Sequence, residues 1–181
     1  MMKSLLTAAS MAVLLMVAPA WAQAPPSSSG QGLSAQDQQF LKEAGQGHQA
    51  EVRFGNLAAQ RATMPAVRIF GRWMASAHGS ANTQLATVIQ QVQGQAPPMA
   101  LTSEQQSEMQ KSQGASGAAF DKQYLQMIAP DHQKDIQAFQ KEAQGGQDQA
   151  VKTYAQNMLP VLQDHLAAVQ KLMSMPATAP K

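Results

Sequence analysis

The side chains best suited to chemistry in this chain are four histidines, His48, His78, His132 and His165. Glu51 follows His48 by three residues and Asp135 follows His132 by three, so each pair shares one helix face. Asp131 and Asp164 directly precede His132 and His165. Neutral imidazoles together with carboxylates are donors for a transition metal such as copper, zinc or iron. The candidate ligands are therefore Glu51, His78, His132 and His165, with His48, Asp131 and Asp135 as further members. Tyr124 and Asp164 are candidates for orienting them from behind. Met74, Met127 and Met158 sit one to two turns before three of the histidines. Thioethers there would favour copper(I), but adaptable core packing is the stronger reading of them. The histidines and acids have a second reading too, as buried polar groups that only specify packing.

Other chemistries are absent from the sequence. There is no cysteine, which excludes thiolate ligands, disulfides and a lipid-modified cysteine. No Ser-His-Asp elbow, Gly-rich phosphate loop or zinc-protease helix motif occurs. A di-iron oxidase of the ferritin type needs Glu-x-x-His on two helices. Ala75 and Leu162 stand three residues before His78 and His165, where those glutamates would be. The reading leans away from an enzyme.

The elements that must carry these residues are helical throughout. Ser34 with Asp37 opens the first helix, which runs to about Arg61. Pro65 suits the first turn of the second, where its missing N–H costs nothing. From Val67 through Phe70, Met74, Ala77, Ala81, Leu85 and Val88 to Val92, apolar residues step by three or four along one face. Gly94 and Pro97-Pro98 end that helix, and a connection of about twenty residues follows, long for a compact domain. It has room for a short helix from Thr102 to Gln113. A third long helix starts near Ala118 and stops at Gly145-Gly146, and Asp148 caps the fourth. Pro130 and Pro160 lie inside helical patterns and are expected to bend them or open a short break.

The N-terminus adds a destination. Lys3, an apolar run from Leu5 to Val17 and Ala20-Trp21-Ala22 form a signal peptide over residues 1–22, cleaved before Gln23. A flexible leader (23–33), a bundle (34–173) and a disordered tail (174–181) complete the expected organisation. The destination is the periplasm, or an outer-membrane-associated position reached from it. No other segment is apolar enough to be an integral membrane span. The formal net charge is only +2, with Lys and Arg dispersed, so no nucleic-acid footprint is present.

Compared with itself at an offset of 84, the chain aligns without a gap from residue 37 to 74. Asp37, Phe40, His48, Glu51, Val67, Phe70 and Met74 fall on Asp121, Tyr124, His132, Asp135, Val151, Tyr154 and Met158. Each copy (about 37–92 and 121–173) reads as a helical hairpin. Two hairpins joined by one long crossover make an all-α, ferritin-like four-helix bundle, an architecture that places ligands on inward faces.

Several stretches resemble a bacterial exported family catalogued as domain of unknown function 4142. They are Glu51-Val52 with Leu57-Ala58, Met74 followed by His78, Phe120-Asp121 with Tyr124-Leu125, Asp131-His132, and Asp164-His165-Leu166. The resemblance covers about residues 37 to 172. It implies an exported ferritin-like helical domain with no agreed activity, sometimes described as an outer-membrane protein. Its characteristic polar positions fall on Glu51, His78, Asp121, Asp131, His132 and His165. The chain departs from that pattern at Ala77, where an acidic residue is usual, and at His48, where a small one is. The functional expectation is a non-catalytic metal-binding or envelope-stress protein. The alternative is a helical module that docks an unknown partner without metal.

Overall fold

The computed structural model describes residues 32–93 and 100–175. The expected signal peptide, nearly all of the leader, the Gly94–Pro98 helix stop and the tail from residue 176 lie outside the described residues. Within them there are five helices and no strand: α1 (Ala35–Arg61), α2 (Pro65–Gln93), α3 (Ser103–Gly114), α4 (Gly117–Gly145) and α5 (Gln149–Met173). None is long and apolar enough to cross a membrane.

Local chemistry sets the boundaries. Ser34 Oγ accepts the Asp37 amide at 3.1 Å and starts α1. Thr102 and Gln105 form a capping box that starts α3 inside the crossover. Asp148 accepts the amides of Ala150 and Val151 and starts α5. Gly117 enters α4 with φ +62°, a left-handed conformation that glycine adopts at little cost. Pro130 and Pro160 are both exposed, and α4 and α5 run through them without the break that the sequence allowed for.

α1 packs along α2 and α4 along α5, and the two hairpins close on each other through α2 with α5 and α1 with α4. Two aspartates tie the hairpins together. Asp37, at the start of α1, accepts the amides of Gln147 and Asp148 in the turn of the second hairpin. Asp121, at the start of α4, accepts the amides of Thr63 and Met64 and the Thr63 hydroxyl, in the turn of the first. From its own sequence Asp121 reads as a cap for the helix that carries it. Instead it satisfies the free N–H groups that open α2, because helix starts leave such donors bare. These contacts place each helix start beside its neighbour's end, so adjacent helices run antiparallel. This is the ferritin-like arrangement.

The core is divided. Phe54, Phe70, Met74, Phe120, Tyr124, Ile128 and Val169 belong to one apolar cluster, at the end where α1 turns into α2. Phe40, Leu41, Leu85, Ile89, Phe139, Tyr154, Met158 and Leu162 belong to a second, at the other end. Along every long helix, the switch from one cluster to the other occurs at its histidine. The bundle is thus two apolar halves with one polar layer between them. Met74 and Met158 belong to the apolar halves.

Candidate metal centre

The four histidines are all fully buried in that layer. His78, His132 and His165, from α2, α4 and α5, each bring a ring nitrogen within 4.8 Å of the others. His132 Nε2 lies 3.3 Å from His165 Nδ1. Two imidazole nitrogens bound tetrahedrally to zinc at about 2.0–2.1 Å would be about 3.3–3.4 Å apart. The His132–His165 pair therefore already has the edge length of such a site.

His48 stands behind the three. Its Nδ1 is 2.9 Å from His78 Nδ1, and its Nε2 is 2.6 Å from the Tyr154 hydroxyl. Tyr154 in turn donates to the Ala81 carbonyl at 3.4 Å. A hydroxyl has one hydrogen to give and a neutral imidazole one N–H. Once Tyr154 donates to Ala81, His48 Nε2–H donates to Tyr154 and His78 Nδ1–H donates to His48. That leaves a lone pair on His78 Nε2, which has no hydrogen-bond partner. On α4, His132 Nδ1–H donates to the Ile128 carbonyl at 3.2 Å, with Glu51 Oε1 at 3.6 Å. Its Nε2 is thereby left as an acceptor toward His165. His165 Nε2 is buried and unpartnered as well. Three imidazoles thus present more lone pairs than N–H groups to one another, an imbalance that a cation relieves.

Burial keeps these rings unprotonated. Desolvation, then the neighbouring His132, pushes His48 down to about 3. The same causes, with His48 last, push His165 to about 3. Burial takes His132 to about 4 against the pull of the Ile128 carbonyl, and holds His78 well below the usual range. The carboxylates move the other way. Burial, then Asp135, Asp131 and Glu108, raise Glu51 well above its ordinary value. Asp135 rises to about 7, mainly by burial and then by Asp131.

Of the residues singled out in the sequence, the structure brings His78, His132 and His165 together. Glu51 stands beside His132 rather than among the three nitrogens. His48 touches His78 through its own ring. Asp131 and Asp135 are partly exposed on α4, Asp164 is exposed, and Tyr124 is buried in the apolar half against Phe120 and Phe70 with its hydroxyl unpartnered. Tyr154 was not foreseen as a partner of His48. Its trace in the sequence is its place opposite Phe70 in the repeat. Trp73 carries no sequence signal of its place beside the site. It is 42% exposed and meets His165 edge to face, ring centroids 4.4 Å apart, closing the layer on the α2 side.

The chain matches the family described as Domain of unknown function (DUF4142) over residues 22–172, and it belongs to that family. No curated protein matches it. Two crystal structures share the fold. A DUF305 fragment from Deinococcus radiodurans superposes with a TM-score of 0.69 at 13% identity, over 79% of this chain and 98% of that one. A DUF305 protein from Streptomyces coelicolor, described as secreted, superposes with a TM-score of 0.61 at 16% identity, over 76% and 91%.

Proposed function

We propose that this member of the family is a non-catalytic metal-binding protein of the periplasm, holding one transition-metal ion between His78, His132 and His165. The observation that carries the reading is the polar layer itself. Three buried imidazoles from three helices converge, and two of them keep a nitrogen that no protein group satisfies. An unsatisfied polar atom inside a core is costly. Four histidines in one layer would be a poor choice for packing alone. Imidazole donors without thiolates suit zinc, copper or iron. Glu51 and His48 have the place of outer partners that fix ring orientation, Glu51 for His132 and His48, backed by Tyr154, for His78. With no glutamates at positions 75 and 162, the paired-carboxylate chemistry of a di-iron oxidase has no support. A role in envelope stress is compatible with holding a metal outside the cytoplasm.

A metal that binds only the folded chain raises its melting temperature with dose. Zinc(II), copper(II) and iron(II) titrated into chelator-treated protein should produce that rise for at least one ion, saturating at one equivalent. Replacing His132 with Ala should abolish it. A flat melting temperature for all three ions would reject the reading. It would favour the interaction module, whose most suitable contact is the exposed Ile69–Trp73 pair on α2.

A further inference from the structure

We infer that the groove between α1 and α4, roofed by α3, is the path by which a hydrated divalent cation reaches the three imidazoles, with Glu51 handing it inward. The inference rests on the metal-binding reading above and adds a route to it.

The groove encloses about 300 Å³ between α1 and α4. Its walls carry Glu43 and Glu51 from α1, Glu104 and Glu108 from α3, and Asp131 and Asp135 from α4, against only Lys42 and Lys134. The described residues contain no ion pair between those lysines and these acids. Of the polar residues that line it, His48 and Glu51 are the buried ones. Glu51 is only 4% exposed, and its two oxygens face different neighbours. Oε1 is 3.6 Å from His132 Nδ1, whereas Oε2 is buried with no partner. A buried carboxyl oxygen with no hydrogen-bond partner, at the floor of a groove lined with more acids, is a place for a cation, whose charge would favour the ionised form that burial disfavours.

The groove does not chelate by itself. Among the described residues the three histidines are the only group of three or more whose ligand atoms all lie within 4.8 Å of one another. The acids are spread along the walls, which suits attraction and passage rather than capture. A cleft lined by one sign of charge concentrates the opposite ion and accelerates its arrival by about 10- to 1000-fold, less so as salt rises. The composition of α3 fits this role. It is a polar helix with a single apolar side chain, Met109, packed on the core, and it turns carboxylates toward the groove instead of a stripe toward the interior.

Stopped-flow mixing of the chelator-treated full chain with cobalt(II) chloride, followed by visible absorption, measures the loading rate. Loading of the wild type should slow steeply with added sodium chloride. Glu104→Gln/Glu108→Gln should load about tenfold more slowly at low salt, with a flatter salt dependence and still one ion bound at saturation. Glu51→Gln, which keeps the shape of the side chain, should slow loading too. Glu108→Lys provides an independent variant with a stronger expected effect. Loading rates unchanged in all of these, with one cobalt still bound, would overturn the route and leave the metal site standing. No cobalt bound by the wild type in equilibrium dialysis would overturn both.

Discussion

The two hairpins turn at 62–64 and 146–148, 84 residues apart, but they bring their helices together by different means. In the first, Gly55 and Gly71 face each other so closely that a Cβ on either would lie 2.6 Å from the other's carbonyl oxygen. Backbone meets backbone there. In the second, the corresponding residues are Phe139 and Ala155, and Phe139 fills the space, packing edge to face on Phe40 with centroids 4.8 Å apart. The hydroxyls are exchanged as well. Phe40 and Phe70 in the first hairpin correspond to Tyr124 and Tyr154 in the second. His78 and His165 have Leu162 and Ala81 as counterparts, so the donors do not follow the offset. The difference teaches that a frame with near-twofold symmetry supports a centre without it. One hairpin lends His48 to hold His78, and the other lends the tyrosine that holds His48.

Placing a Cβ at Gly71 should produce the largest effect. The atoms it would meet are the Gly55 carbonyl, the Ala59 amide and the Ala58 Cβ, none of which is a flexible tip. Gly71→Ala should lose about 2–3 kcal/mol despite the gain in helix propensity. Ala155→Gly at the corresponding site should lose only about 1 kcal/mol. Urea unfolding of the two variants measures both, and equal losses would mean that the hairpins cross alike after all.

Removing one clasp comes next. Asp121→Ala leaves the start of α2 uncapped and should cost about 2 kcal/mol. Asp37→Ala should cost a similar amount at the start of α5, since each aspartate accepts two turn amides. A loss confined to one of them in chemical denaturation would break the equivalence of the turns.

The tyrosines sharpen the comparison further. Tyr154→Phe leaves His48 Nε2 buried without a partner and should cost about 1–2 kcal/mol. By loosening the support of His78 it should also weaken metal binding about 10-fold or more, read by competition with a chromogenic chelator. Tyr124→Phe removes a hydroxyl that has no partner, and should be neutral in stability and in metal binding.

The last comparison is of pH dependence and concerns Glu142, which stands in the second hairpin where the first has Ala58. Burial, then the adjacent Asp37, pushes its carboxyl up to about 7 from 4.5. The folded chain thus keeps a proton that the unfolded chain releases. Its contribution is complete below about pH 4.5 and is lost as pH rises through about 7. Relative to Glu142→Gln, the wild type should therefore melt progressively lower between those values. A difference that does not change with pH would mean the carboxyl titrates normally.

Most of the helix plan was legible because its punctuation is local. Ser34, Pro65 and Asp148 act within a turn of their own residues, and the boundaries follow them. The meeting of His78, His132 and His165 was legible from their placement on separate helices of a bundle whose inward faces converge. What acts across the chain was not. Asp121 obeys the rule for a helix start, but the start it serves is 57 residues away. His48 reaches Tyr154 over 106 residues, and no spacing rule links them. Asp164 was misplaced by adjacency, because a residue next to an inward-facing one is turned about 100° around the helix. Glycines such as Gly55 and Gly71 read in a sequence only as a helix penalty, and their partner at the crossing is invisible there.

The reciprocal clasps have a further consequence. Asp37 serves the turn of the opposite hairpin, and Asp121 returns the same service. A surface patch that meets its own equivalent in both directions is the isologous contact of a homodimer with twofold symmetry. Two detached hairpins could form these bonds, but their association would then rise and fall with concentration. The crossover that carries α3 makes the encounter intramolecular, at an effective concentration on the order of millimolar. The contact between the two hairpins therefore forms at any dilution, because neither hairpin has to find the other in solution.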